Sequence, residues 1–246
     1  MSDPGAEYRF RDGAAHLIAE IDAALDRGDI DEAGWHARVA EIIRPAYLAA
    51  TTPQAQSGFS GGPVAWVHAR SLIALAIDHD GTFLDVGCAN GLLMESIVDW
   101  CAMRGLRIKP YGLDIVPELA ALARSRLPHW AERIFVGNAL TWAPPIRFDF
   151  VRTNLDYVPP RRRRDLVERL MRDIVAEDGR LIIGVYGNAD PSGPGLDDIV
   201  RGWGYTIAGG VDRPHRIRVN ELQRVFWIDA PGVSKGAQPP SLATMA

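Results

Sequence analysis

The residues best suited to chemistry form a glycine-bearing turn at positions 85–91, with the sequence Asp-Val-Gly-Cys-Ala-Asn-Gly. An apolar run precedes this turn and a segment with helical periodicity follows it, so the turn joins a predicted strand to a predicted helix. Small residues in such a turn let backbone N–H groups approach a bound molecule, and glycine supplies any positive φ that the turn requires. Gly87, Ala89 and Gly91 therefore predict a ligand lying against this backbone.

Two other interpretations of the turn compete with a cofactor site. Asn90-Gly91 is a strong two-residue hairpin signal, but the residues after it have helical and not alternating periodicity. A dinucleotide fingerprint, G-x-G-x-x-G counted from Gly87, needs glycine at positions 89 and 92. The chain has Ala89 and Leu92 there, so the sequence favours a strand–turn–helix unit of another kind.

Polar side chains follow the next predicted strands. Asp114 ends the second strand and precedes Ile115, Asn138 follows the third strand, and Asn154 follows the fourth. Open parallel sheets bind ligands at the carboxyl ends of their strands, so these side chains are expected beside the glycine turn. A competing interpretation of Asp114 is an ordinary aspartate near the start of the next helix, where the helix dipole favours a negative charge.

These segments resemble, in order and spacing, the class I S-adenosylmethionine-dependent methyltransferases. Residues 85–91 read D-x-G-x-A-x-G, which is similar to the family's motif I with alanine in place of the middle glycine. Asp114 follows the first glycine by 27 positions, where the family has its ribose-binding acid. Residues 137–139 resemble the family's adenine-recognising G-D-A segment, with Asn138 replacing the acid. The resemblance spans about residues 81–228.

The resemblance implies S-adenosylmethionine as the cofactor and methyl transfer to a small-molecule acceptor as the reaction, with no metal required. It does not indicate whether oxygen, nitrogen or carbon is methylated. The cofactor contacts that it implies are Asp85, Gly87, Cys88, Ala89, Gly91, Asp114, Ile115, Asn138, Ala139 and Asn154.

The candidate catalytic residues are Asp156, Tyr157 and His68, with His215 as a further base. A base near the acceptor can remove a proton from a hydroxyl or an amine. Competing interpretations exist for each, because Asp156 can cap the following helix, Tyr157 can pack over its loop, and most histidines pack or face solvent. Two other functions stay open: a catalytically silent S-adenosylmethionine-binding regulatory module, and a nicotinamide-dependent oxidoreductase, against which the missing glycines argue.

Short apolar runs alternate with amphipathic helical stretches after residue 81, which is typical of an α/β fold. We predict a Rossmann-like, mostly parallel seven-stranded sheet with helices on both faces and an antiparallel last strand. The predicted strands span residues 82–86, 110–113, 133–136, 148–153, 180–185, 205–208 and 224–228.

Three parts are predicted along the chain. Residues 1–62 form an N-terminal helical cap and lid loop, residues 63–230 the catalytic domain, and residues 231–246 a flexible tail. Asp31 is expected to cap the second helix of the cap. The loop at residues 56–62 is either a lid over the pocket or a plain linker between helices.

Composition and charge limit the classes of binding partner that the chain is expected to have. The chain has 246 residues, 47% apolar and 24% charged, and its net charge of -4 offers no general attraction to nucleic acid, which is disfavoured as a partner. The arginine run at residues 161–164 is interpreted as a solvated helix start. The sequence has no predicted membrane span or export signal, and its two cysteines, Cys88 and Cys101, are expected to be reduced in the cytoplasm. It does not indicate an oligomeric state.

Overall fold

One sheet carries every predicted site segment. The computed structural model describes residues 16–185, 194–216 and 222–232. Within those ranges the sheet has seven strands, which are β1 (Gly81–Val86), β2 (Ile108–Asp114), β3 (Ile134–Val136), β4 (Phe148–Thr153), β5 (Val175–Val185), β6 (Gly209–Pro214) and β7 (Leu222–Asp229).

The strands lie in the order β3-β2-β1-β4-β5-β7-β6. Strand β1 pairs in parallel with β2 and β4, while β7 pairs antiparallel with β5 and β6. The predicted Rossmann-like sheet with an antiparallel last strand is therefore confirmed. The direction of winding reverses between β1 and β4, and open α/β sheets bind ligands in the crevice at such a switch point.

Helices pack on both faces of the sheet. Asp31 caps the second helix as predicted, because its side chain accepts a hydrogen bond from the Gly34 N–H. The fifth helix begins directly after Gly91, which excludes a hairpin at that position. No helix in the described ranges is long and apolar enough to cross a membrane. The described helices are α1 (residues 16–26), α2 (Glu32–Ala49), α3 (Pro53–Gln56), α4 (Pro63–Ala74), α5 (Leu92–Ala102), α6 (Pro117–Arg126), α7 (Arg163–Arg169) and α8 (Leu196–Gly202).

The strand predicted at residues 205–208 is wrong, because the sixth strand begins later, at Gly209. Gly209 and Gly210 pair with Trp227 and Phe226 of β7. A Cβ on Gly209 would overlap the Trp227 ring, so the strand needs glycine where it passes the indole. Glycine is disfavoured in strand interiors, which explains why the sequence pattern placed this strand too early.

The fifth strand is longer than predicted and begins at Val175. Residues 177–179, which precede the predicted strand, belong to it, and its register against β4 shifts between Phe148 and Phe150. A Cβ on Gly179 would lie 2.9 Å from the carbonyl oxygen of Phe148. Glycine here allows the close backbone approach that the irregular pairing requires.

Apolar side chains on both faces of the central strands hold the site edge in place. On one face, Phe83 and Phe150 belong to a cluster with α4 and α5, and on the other, Leu84 and Val151 belong to a cluster with α7. All four are at most 1% exposed, and burying such a side chain contributes about 1.5–3 kcal/mol. The strand ends are therefore rigid supports for the segments that follow them.

Candidate functional site

A cavity of about 230 Å³ lies at the carboxyl ends of β1 to β4, beside the switch point. We call the segments that follow these strands its floor, and they include the predicted residues Gly87, Ala89, Asp114, Ile115, Asn138 and Ala139. The candidate catalytic residues Asp156 and Tyr157 also line the floor. We call the side chains of α2 on the opposite side its roof, which consists of Trp35, His36, Val39, Ala40, Ile43 and Tyr47.

The glycine turn has a left-handed backbone at three positions, Gly87 (φ 75°), Ala89 (φ 47°) and Gly91 (φ 76°). Among the described residues, Ala89 is the only one other than glycine with positive φ. A left-handed alanine costs roughly 1–2 kcal/mol, so the surrounding structure must hold it there. Ala89 thus adopts a backbone conformation that glycine adopts freely. It occupies the position of the middle glycine in the motif that residues 85–91 resemble.

Asp114 supplies the interaction that holds Ala89. Its Oδ2 accepts a hydrogen bond of 2.8 Å from the Ala89 N–H, and its Oδ1 accepts one of 2.9 Å from the Val116 N–H. The residue is 6% exposed, and burial raises the pKa of its carboxyl while these two hydrogen bonds oppose the rise. Each carboxylate oxygen has a further lone pair, so Asp114 can support the turn and still accept from a ligand.

Ile115, Asn138 and Ala139 complete the floor beside β2 and β3. The Asn138 Oδ1 accepts a hydrogen bond of 2.9 Å from the Leu140 N–H, which uses one of its two lone pairs. The Gly137 N–H donates to the Asp114 carbonyl at 3.0 Å. The segments after β2 and β3 are therefore joined and present one polar amide between apolar surfaces.

Arg152, which was not predicted from the sequence, lies beneath the cavity floor and holds several neighbouring side chains by hydrogen bonds. It lies on β4 directly opposite Asp85 of β1, and both side chains are buried. Its Nη1 donates to Asp85 Oδ1 at 3.2 Å and to the Tyr157 hydroxyl at 3.0 Å, and its Nη2 donates to Asn154 Oδ1 at 2.7 Å. An arginine inside an apolar strand was a signal that a buried acid lies on a neighbouring strand.

This cluster shifts the pKa of two groups. Burial raises the pKa of Asp85 to about 6, and the positive charge of Arg152 opposes the rise. Burial also raises the pKa of Tyr157 far above its usual value, so its hydroxyl is protonated at neutral pH. The Tyr157 ring packs on the glycine turn, where a Cβ on Gly87 would lie 2.6 Å from its Cε2.

Four predicted cofactor contacts do not line the cavity. Asp85 and Asn154 instead bind Arg152. The Cys88 side chain is buried in a separate apolar cluster, and Gly91 lies against Leu127, whose Cδ1 would be 2.6 Å from an added Cβ. These residues shape the turn and its support.

The structure does not bring His68 to the cavity. Helix α4 places its Nε2 2.9 Å from the Pro214 carbonyl oxygen of β6. His215 follows Pro214 and does not line the cavity either. His68 lies near β6 because α4 contacts β6 and β7, and His215 directly follows β6. The sequence contained no information about the packing of α4 on these strands.

Ion pairs tie both ends of α2 across the switch point. Near its start, Glu32 pairs with Arg162 and, at 3.7 Å, with Arg161, which both follow β4. Towards its end, Arg44 pairs with Glu118 of α6 at 3.1 Å. The arginine run thus lies at the start of α7 as predicted, and two of its partly exposed arginines also pair with α2.

Helix α3 and the loop after it contact the turn and the roof. The Asn90 Nδ2 donates to the Pro53 carbonyl oxygen at 2.8 Å, and Ser57 lines the cavity. Gly58 has φ 73°, and an added Cβ would overlap the Tyr47 hydroxyl. Residues 53–58 therefore contact both the glycine turn and the roof.

No protein-family model matches the chain, and no curated protein matches its sequence. Solved structures do match its fold. The 1,6-didemethyltoxoflavin-N1-methyltransferase of Burkholderia thailandensis, bound to 1,6-didemethyltoxoflavin and S-adenosylhomocysteine, has a TM-score of 0.60 and 18% identity, over 82% of this chain and 91% of that one. The N-methyltransferase NodS of Bradyrhizobium japonicum has a TM-score of 0.53 and 15% identity, over 68% and 98%.

A third similar structure is the [4+2]-cyclase SpnF, with a TM-score of 0.52 and 15% identity, over 76% of this chain and 84% of that one. At these identities the matches establish the fold of the chain. One fold can carry different chemistries, so the function has to be argued from the site.

Proposed function

We propose that this chain, which has the fold of the class I S-adenosylmethionine-dependent methyltransferases, binds S-adenosylmethionine and transfers its methyl group to a small-molecule acceptor. The observation that carries the proposal is the link between the glycine turn and Asp114. The left-handed Ala89 donates its N–H to the carboxylate that ends β2, and both residues line a cavity at the switch point.

The cavity lining fits the nucleoside and the charge of this cofactor. Asp114 has lone pairs left for ribose hydroxyls, and Ile115 and Ala139 offer apolar contacts to an adenine ring. Asp114 and Asp156 are acidic, and no lysine or arginine lines the cavity among the described residues. This lining suits a sulfonium and an ammonium group and disfavours the diphosphate of a nicotinamide dinucleotide.

The cofactor, when bound, supplies a methyl carbon that its sulfonium makes electrophilic. The protein then has to hold an acceptor atom in line at about 3 Å and exclude water. The roof covers one side of the cavity and would keep water from that side, and the limited volume favours a small acceptor. Tyr157 stays protonated and cannot act as the base, whereas Asp156 can accept a proton or hold a cationic acceptor.

Binding of S-adenosylmethionine without methyl transfer is the second candidate function. Asp156 is exposed, and no described basic group other than His36 lines the cavity with it. A cofactor-binding site without a well-placed base is consistent with a regulatory module. Methyl transfer to an already nucleophilic acceptor needs no base, so the same observation is compatible with the first candidate.

An acceptor screen separates the two functions. The purified chain is incubated with S-adenosylmethionine and pools of small amines, phenols and carboxylic acids, and S-adenosylhomocysteine is measured by mass spectrometry. We expect product from at least one pool, and Asp156→Asn should lower the rate by about 100-fold while leaving S-adenosylhomocysteine binding unchanged. Binding without product from any pool supports the regulatory module, and absence of binding contradicts both functions.

We also propose that residues 16–62, the described part of the predicted N-terminal segment 1–62, form a helical cap with a lid, and that residues 63–230 form the catalytic domain. All but the first two residues of the predicted tail, 231–246, lie outside the described residues. Two observations support the lid. Residues of α2 form the roof, and α3 contacts Asn90 of the glycine turn while the loop after it contacts Tyr47 of the roof.

Gly58→Ala tests the lid loop, with Gly28→Ala as its matched control. Both glycines have positive φ, 73° and 79°, so each alanine should cost roughly 1 kcal/mol of stability. An added Cβ at Gly28 has nothing within 4 Å, whereas at Gly58 it overlaps Tyr47. We expect only Gly58→Ala to weaken S-adenosylhomocysteine binding in calorimetry, by several-fold. Equal affinities in both variants would mean that the loop is a plain linker.

A further inference from the structure

One buried polar atom of the roof has no hydrogen-bond partner. The Nε2 of His36 is buried, and it makes no hydrogen bond in the described structure. His36 lies on α2 and lines the cavity. Leaving a buried polar group unsatisfied costs about 1–3 kcal/mol, and native proteins contain few such groups.

Among the buried side-chain polar atoms of the described cavity lining, the His36 Nε2 is the one without a hydrogen-bond partner. The Trp35 Nε1, also in the roof, donates to Asp22 at 2.7 Å. Asp114 accepts from two backbone N–H groups, and Asn138 accepts from a third. The His36 nitrogen therefore stands out as a buried polar atom of the lining for which the protein supplies no partner.

The charged groups near His36 come from two segments. Glu32 lies one turn before it on α2, and Arg162 lies in the segment after β4. Burial lowers the pKa of His36; the negative charge of Glu32 opposes this and the positive charge of Arg162 adds to it. At neutral pH the ring is therefore uncharged, and its Nε2 can donate or accept according to the tautomer.

We infer that His36 Nε2 hydrogen-bonds to the nucleoside half of bound S-adenosylmethionine, so that α2 contacts the cofactor directly through a polar group. This inference rests on the proposed function. The nucleoside half is indicated because the cavity that His36 lines also contains Asp114, Ile115 and Asn138. Arg152 and Asn154, beside the part of the turn that would hold the methionine half, are not in its lining.

The contact gives α2 a way to recognise its ligand. Its two ends are already tied by Glu32 and Arg44, whose ion pairs are partly exposed and contribute little each. A hydrogen bond from the middle of the roof to the nucleoside would form only with the ligand in place. The position of α2 over the cavity would then depend, through His36, on whether a nucleoside is bound.

Two substitutions at one position test this inference. His36→Leu replaces the ring with an apolar side chain, and His36→Gln keeps an amide at the end of the side chain. Affinities for S-adenosylhomocysteine and for adenosine are measured by calorimetry, and thermal stability is measured without ligand. We expect His36→Leu to weaken both affinities by about 5-fold, with an unliganded Tm equal to or above that of the wild type. His36→Gln should recover at least half of the lost affinity.

Other outcomes contradict the inference in distinct ways. Wild-type affinity for both ligands in His36→Leu overturns it. A loss confined to S-adenosylhomocysteine would move the contact to the methionine half, and a lowered Tm with equal losses in both variants would make the residue structural. Failure of the wild-type protein to bind either ligand would instead overturn the proposed function.

Discussion

Asp114→Ala should weaken binding of S-adenosylhomocysteine by roughly 100-fold. The carboxylate that it removes would accept hydrogen bonds from ribose hydroxyls, and a hydrogen bond to a charged group contributes about 1.5–3 kcal/mol. The same carboxylate holds Ala89 in its left-handed conformation through a hydrogen bond of 2.8 Å. Its loss therefore removes a ligand contact and relaxes the turn on which the ligand lies. Calorimetric titration measures the effect.

Asp149→Ala is the matched control for this variant. The Asp149 Oδ2 accepts hydrogen bonds from the Thr82 N–H at 2.7 Å and from the Thr82 hydroxyl at 2.8 Å, near the start of β1 and β4 and away from the cavity. Both variants lose an aspartate that accepts two hydrogen bonds, so both should be destabilised. Only Asp114→Ala should lose affinity. An Asp114→Ala protein that is folded and binds as tightly as the control would contradict the proposed site.

Arg152→Met should lower the free energy of unfolding by about 3 kcal/mol near pH 7.5. The substitution leaves Asp85, which is 1% exposed, without its opposite charge, and removing one partner of a buried ion pair costs about 3–5 kcal/mol. It also releases the side chains of Asn154 and Tyr157, which Arg152 holds. We therefore expect cofactor binding to weaken with stability. Denaturant unfolding measures the first effect and calorimetry the second.

The loss of stability in Arg152→Met should depend on pH. The pKa of Asp85 is about 6 in the folded protein, above its unfolded value, so the folded state binds more protons and stability falls as pH rises between the two values. Without Arg152 the folded pKa is higher still, and the fall continues to higher pH. The difference between variant and wild type should therefore be larger near pH 7.5 than near pH 5.5.

The double variant Asp85→Leu/Arg152→Met is the control for the ion pair. Replacing both partners of a buried pair with apolar side chains is often neutral or stabilising. We expect it to recover most of the stability and to remove the pH dependence, while cofactor binding stays weak because Asn154 and Tyr157 lose their partner. If the stability difference between Arg152→Met and the wild type were the same at pH 5.5 and pH 7.5, Asp85 and Arg152 would not form an ionised pair.

Local patterns were sufficient for the strands that carry the glycine turn, Asp114 and Asn138. Strands β1 and β2 end in buried residues, and a polar or glycine residue stands at the carboxyl edge of each of the three strands. Covalent order alone brings such residues to one edge, because parallel strands joined by helices all end on the same side. The predicted floor of the cavity therefore agrees with the structure.

Contacts between segments far apart in the chain could not be predicted from local sequence patterns. Arg152 and Asp85 are 67 positions apart, and Glu32 and Arg162 are 130 apart. Nothing in the spacing of either pair identifies its partner, since pairing depends on which strands are neighbours and on where α2 crosses them. Gly58 and Gly209 illustrate the same point, because each is glycine on account of an aromatic side chain from another element.

By itself the sequence determined the order of strands and helices, the shape of the glycine turn and the acid at the end of β2, because these depend on propensities and periodicities within short segments. The tertiary structure alone decided what covers the turn and what supports it. The roof of α2, the unpaired His36 nitrogen and the buried Arg152 cluster arise when segments far apart in the chain exclude water from one another. Burial is what gives these groups their altered charge states and their need for partners, and it exists only in the folded chain.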